Sequence, residues 1–153
     1  MIESPKTLSS YLQAIIREFV ASFRENSLED GSGQKAWDAP LVGFSSGADP
    51  LHQQIKADIG EFHWTPAQAL GEGVNGPVSV VSWILPQAAP VRADQKKAGT
   101  LPTEKWIRTR FFGEKFNDSL RRFLVDRLSG LGVTAVAPVL RPDWGRQTSE
   151  RFG

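Results

Sequence analysis

Residues 103–140 read TEKWIRTRFFGEKFNDSLRRFLVDRLSGLGVTAVAPVL, and this stretch decides the expected architecture. Ile107, Phe111, Phe116, Leu120, Phe123, Leu124, Leu128 and Leu131 recur mostly at three- and four-residue steps. That period predicts a helix over about residues 103–130 with one buried apolar stripe, opened by Thr103-Glu104 and stopped by Gly130 and Gly132. Gly113, near its middle, predicts an irregularity such as a bend. The apolar, β-branched run Val133–Leu140 then reads as a strand. Upstream, Val78–Leu85 (VSVVSWIL) is the clearest strand, almost continuously apolar, as in a strand covered on both faces, and Pro86 ends it. Ala39-Pro40-Leu41-Val42-Gly43-Phe44 is a shorter extended segment. A long helix between two apolar strands suggests a βαβ-like crossover.

Working outward, Leu8, Leu12, Ile15, Ile16, Phe19, Val20 and Phe23 predict an amphipathic helix over about residues 5–26, with Ser4-Pro5 as its N-cap and first turn. Polar residues 27–38 read as a surface loop. Asp49-Pro50 opens a helix over about 50–59 with Leu51, Ile55 and Ile59 on one face, and Thr65-Pro66 opens a short one over about 66–71. Residues 86–102 (PQAAPVRADQKKAGTLP) carry three prolines and no apolar period, which predicts a long loop of the kind used in binding. Residues 141–153 read as a polar tail with Arg141, Arg146 and Arg151. The expected fold is therefore one α+β domain: a small, mainly buried sheet of about three strands, packed by the long helix and by the N-terminal amphipathic helix.

Composition removes several function classes. A net charge of +1 over 153 residues argues against a large electrostatic field, so nucleic acid is not an expected partner of this chain. The chain has no cysteine, which excludes disulfides, thiolate metal sites and a cysteine nucleophile. Its two histidines, His52 and His63, fall in different predicted elements without the spacing of a zinc site. No stretch approaches the ~18 apolar residues of a membrane span, and the amino terminus does not read as a secretory signal. The expected location is the cytoplasm.

Arg108, Arg110 and Lys115, with Lys105, lie together on the long helix. They read either as an anion-facing cluster, since guanidinium pairs with phosphate through two N–H donors, or as a solvated face balanced by Glu104, Glu114 and Asp118. With Asn117 they are the candidate ligand contacts. Arg121, Arg122 and Arg127 read as solvated, with Asp118 and Asp126 in helical reach. Asp58, Glu61 and His63 could form an acid–base set only if the fold joined them. Ser45-Ser46-Gly47 and Gly71-Glu72-Gly73 are glycine turns short of a full phosphate loop. No catalytic residue and no metal ligand can be named. Trp83 and Trp106 are expected in the core, and Trp37, Trp64 and Trp144 at element edges.

Three segments carry a resemblance: GPVSVVSWILP over residues 76–86, WIRTRFFGEKFNDSLR over 106–121, and GVTAVAP over 132–138. Together they resemble the amino-terminal region of the epoxyqueuosine reductase-like iron–sulfur proteins, relatives of corrinoid-dependent reductive dehalogenases. The likeness covers about residues 39–153. It departs from the family at Phe116-Asn117, where a Tyr-His pair often stands, so no substrate role carries over to these two positions. The resemblance implies that 4Fe–4S clusters, and any corrinoid, are bound elsewhere in a longer parent protein. It implies a non-catalytic N-terminal domain whose partner is the remainder of that parent, or a second copy through exposed apolar surface. The alternative from the residues themselves is a free-standing interaction or ligand-binding module for an anionic partner.

Overall fold

The computed structural model describes residues 7–73 and 76–152. It is α+β. In chain order come α1 (Leu8–Ser22), β1 (Leu41–Ser46), α2 (Leu51–Ile59), α3 (Pro66–Leu70), β2 (Ser79–Ile84), α4 (Ala89–Lys97), α5 (Glu104–Gly130) and a 3₁₀ turn, Pro138–Leu140. β1 and β2 form a two-stranded sheet. Pairing descends along one segment as it ascends along the other, with Trp37 opposite Gln87, Asp38 N–H bonded to Pro86 O, and Gly47 N–H bonded to Val78 O. The strands are therefore antiparallel, and the expected crossover through the long helix lacks its second strand, since residues 133–140 form none.

The chain divides into two compact units, one of Met1–Val42 with Trp83–Leu120, the other of Gly43–Ser82 with Arg121–Gly153. In the first, Thr7 and Ser10 form a capping box that starts α1. The expected cap, Ser4-Pro5, lies outside the described residues. Leu12, Ile15, Ile16, Phe19 and Val20 follow at helical spacing and are buried. Burying side chains of this kind stabilises by roughly 1.5–3 kcal/mol each. The chain turns extended at Phe23, so α1 ends before the expected residue 26. Phe23 stacks on Phe19 at 4.3 Å between centroids, and Phe116 of α5 lies 5.7 Å from Phe19. A satellite cluster of Leu28, Ala36, Ala88 and Val91 packs against Trp37.

Three expectations in this unit need correction. Residues 89–97 form α4, where the sequence reading placed a loop. Val91 is its one buried residue, too few for a period to show, and Arg92 anchors it to Asp38 at 3.0 Å and to the Gln87 carbonyl. Gly113 does not break α5; a Cβ there would lie 2.7 Å from Trp37 Cζ2, so the glycine admits the indole against the helix. The buried stripe of α5 keeps the expected Phe116, Leu120, Leu124 and Leu128, but Thr109 and Gly113 begin it in place of Ile107 and Phe111. Ile107 (50% exposed) and Phe111 (76%) face outward, because residues 107 and 109 stand about 200° apart around a helix.

The second unit contains less apolar core. Asp49 Oδ1 accepts from Leu51 N–H at 2.9 Å to start α2, yet no residue of α2 is buried. Thr65 and Gln68 form the capping box of α3. The end of α5 is a Schellman motif: Gly132, at φ 73°, donates to Ser129 O and Val133 donates to Leu128 O. The expected third strand does not follow it. Residues 133–137 are irregular and Pro138 opens the 3₁₀ turn, so the sheet has two strands where about three were expected. Nor is the sheet mainly buried: Leu41 is 63% exposed and Ile84 is 65% exposed. Residues 141–152 are tied down by arginines. Arg141 donates to Ala69 O at 2.7 Å and lies 4.9 Å over the Trp64 ring, while Arg151 reaches Asp58 at 2.8 Å. Among the described residues, no helix is long and apolar enough to cross a membrane.

Candidate functional site

In the first unit a cleft of about 280 Å³ opens between one wall of α5 and the end of β2 with the segments flanking β1 and β2. Thr109, Arg110, Gly113, Glu114 and Asn117 form the helical wall; Trp37, Trp83, Leu85 and Gln87 form the other. Antiparallel pairing of residues 36–38 with residues 86–88 brings Trp37 and Gln87 together from distant parts of the sequence.

Both indoles are held in place. Asn26 is buried at the end of the α1 turn, and its Oδ1 accepts from Ala36 N–H at 3.1 Å and from Trp37 N–H at 2.9 Å. Its Nδ2 donates to Val20 O at 2.7 Å and to Trp37 O at 3.1 Å, so both N–H groups and both carbonyl lone pairs of this amide are engaged. Trp37 is thereby clamped by its own backbone, with its ring against Gly113. Trp83 Nε1–H donates to Asn117 Oδ1 at 3.1 Å, which fixes the second ring and leaves the Asn117 Nδ2 donors over.

The fold brings together two of the four sequence candidates. Arg110 and Asn117 both line the cleft. Arg110 forms no ion pair or hydrogen bond among the described residues, whereas Arg108 is occupied, pairing with Glu104 at 2.9 Å and donating to Glu29 O at 3.1 Å. Lys115 faces Glu25 at 3.6 Å, and Glu25 also accepts from Ser119 Oγ at 2.9 Å. Those two cations brace the loop after α1 against α5. Thr109 Oγ1 donates to Lys105 O at 2.8 Å and is not a free nucleophile. Glu114 stands one turn from Arg110 on the same wall.

The other sequence candidates are dispersed. Asp58 is taken by Arg151 and by Gln54 at 3.2 Å, and Glu61 pairs with Lys56 at 3.4 Å, whose ammonium also donates to His63 O at 3.0 Å. Asp58, Glu61 and His63 thus each serve local structure. Gly47 N–H is used by Val78 O, and Gly71 N–H caps α3, so neither glycine turn offers those donors to phosphate. No group of three or more metal-ligating side chains assembles among the described residues. Trp83, expected in the core, is a half-buried cleft wall instead. Trp37, Gln87 and the clamp Asn26 were not singled out as site residues from sequence. The available signal was Gly113, since a glycine inside a long helix often marks close approach of another group. No protein-family model, curated protein or solved structure matches the chain.

Proposed function

We propose that this chain is the non-catalytic N-terminal domain of an epoxyqueuosine reductase-like iron–sulfur oxidoreductase acting in the cytoplasm. The three resembling segments support this reading, and the uncovered apolar surface carries it. β2 is built from a run suited to burial, yet Ile84 on it and Leu41 on β1 stand largely in water, with Phe111 and Leu101 (77% exposed). Exposed apolar side chains that join into a large patch are normally covered by another part of the protein or by a partner. A 4Fe–4S cluster needs several thiolates, and a chain without cysteine does not fit that role. The clusters, and with them the chemistry, then belong to polypeptide outside these residues.

The test is to co-express the chain with a polypeptide bearing cysteine runs of the ferredoxin type, taken from the same or an adjoining reading frame. The expected result is a stable complex containing iron and labile sulfide, with less hydrophobic-dye binding than the chain alone. A chain that binds no dye and ignores that polypeptide overturns the reading. Arg110, unpaired in the cleft beside Asn117, favours a second reading: a free-standing module for an anionic ligand.

A further inference from the structure

We infer that the cleft between Trp37, Trp83 and α5 binds a small planar monocarboxylate, with its ring against the indoles and its carboxylate on Arg110 and Asn117. The inference rests on the second reading above and gives its ligand a chemical class; it does not depend on the parent protein.

Three features of the cleft carry it. First, the aromatic walls are prepared before any ligand arrives. Trp37 is clamped by Asn26 through bonds of 2.9 and 3.1 Å to its backbone, and Trp83 is pinned by its 3.1 Å bond to Asn117. Side chains already held lose little freedom on binding, and flat faces favour flat partners.

Second, Arg110 and Asn117 are seven residues apart, two turns along one face of α5, and both line the cleft. The guanidinium offers a planar fork matched to a carboxylate, and the Asn117 Nδ2 group adds a neutral donor. Gln87 contributes an amide on the opposite wall.

Third, size and charge narrow the choice. A volume of about 280 Å³ lies at the small end for ligand pockets and suits a molecule of roughly a dozen non-hydrogen atoms. Arg110 is the one cation among the lining residues, so the cleft offers a single positive charge. That single charge matches one carboxylate, whereas a phosphate dianion would keep a second charge without a counter-charge in the lining.

The probe is benzoate, followed by NMR through the indole N–H resonances of ¹⁵N-labelled full chain, assigned with Trp37→Phe and Trp83→Phe. Cyclohexanecarboxylate (a non-planar ring), benzamide (no charge) and inorganic phosphate are the comparison ligands. The expected result is saturable benzoate shifts at Trp37 and Trp83, with both organic controls several-fold weaker and phosphate weaker still. Arg110→Gln is expected to weaken benzoate about tenfold or more, as loss of a charged hydrogen bond does, with Arg110→Lys intermediate. Because Arg110 is exposed and makes no bond among the described residues, both variants should keep the fold, which the remaining resonances report. Benzoate binding no better than cyclohexanecarboxylate, or unaffected by Arg110→Gln, overturns the inference. Phosphate shifts that depend on Arg110 without benzoate shifts would overturn the carboxylate and leave the anion module standing. No Arg110-dependent shift with any anion would remove both.

Discussion

In the unit of Met1–Val42 and Trp83–Leu120, Leu12, Ile16, Val20, Leu28, Val91, Phe116 and Leu120 are all shut away from water. In the unit of Gly43–Ser82 and Arg121–Gly153, the buried apolar side chains among the described residues are Ala69, Leu124 and Leu128. The second unit relies on cations instead: Arg141 on Ala69 O, Lys56 on His63 O and Arg151 on Asp58. Apolar burial stabilises at about 25 cal/mol per Å², whereas exposed ion pairs contribute only about 0–1 kcal/mol each. The first unit therefore has the means to hold a preformed cleft. The second is held by a smaller apolar core and by surface ion pairs.

The contrast can be broken most forcefully at Phe116. Phe116→Ala removes the ring that meets Phe19 and Phe23 and is expected to cost about 3–5 kcal/mol in chemical denaturation. Asn26→Ala comes next. It leaves the buried N–H of Ala36 and the N–H of Trp37 without their acceptor, for an expected loss of about 2–3 kcal/mol. It should also free the Trp37 ring, seen as a loss of near-ultraviolet circular dichroism. Gly113→Ala sharpens the comparison locally: its Cβ would collide with Trp37, costing about 1–3 kcal/mol and displacing that indole from the cleft.

The smallest effect is expected in the second unit. Asp143 is held below the ordinary carboxylate range, chiefly by its hydrogen bonds from Arg141 at 2.6 and 2.8 Å. A carboxyl with a depressed folded-state pKa adds stability above its unfolded pKa and loses it as pH falls through the folded value. The wild type should therefore exceed Asp143→Asn slightly in thermal midpoint at neutral pH and low salt. The gap should close in acid and shrink with added salt.

Much of the helical framework was legible because it depends on local chemistry. The stripe Leu12–Val20, the Thr65-Pro66 start and the Gly132 stop are each written within one or two turns. What was missed depends on tertiary context. α4 has a single buried anchor, Val91, and so no period to detect. Residues 133–140 have strand composition but lack a partner ladder, and Pro138 withholds an N–H. Ile107 and Phe111 extend an apolar run whose phase the rest of α5 does not share. At the site, Arg110 and Asn117 stood out because they lie close together on one helix, but nothing local distinguished Arg110 from Arg108. Glu29 and Glu104 made that choice, and Glu29 comes from the loop after α1. Trp37 and Gln87 became neighbours only through strand-like pairing.

Hydrogen exchange of the isolated chain, resolved by peptide, tests this division most directly. Residues 8–22 and 109–120 are expected to exchange last, and residues 51–70 with 141–152 well ahead of them. Equal protection across both sets would contradict an account in which one unit stands on an apolar core and the other largely on surface ion pairs.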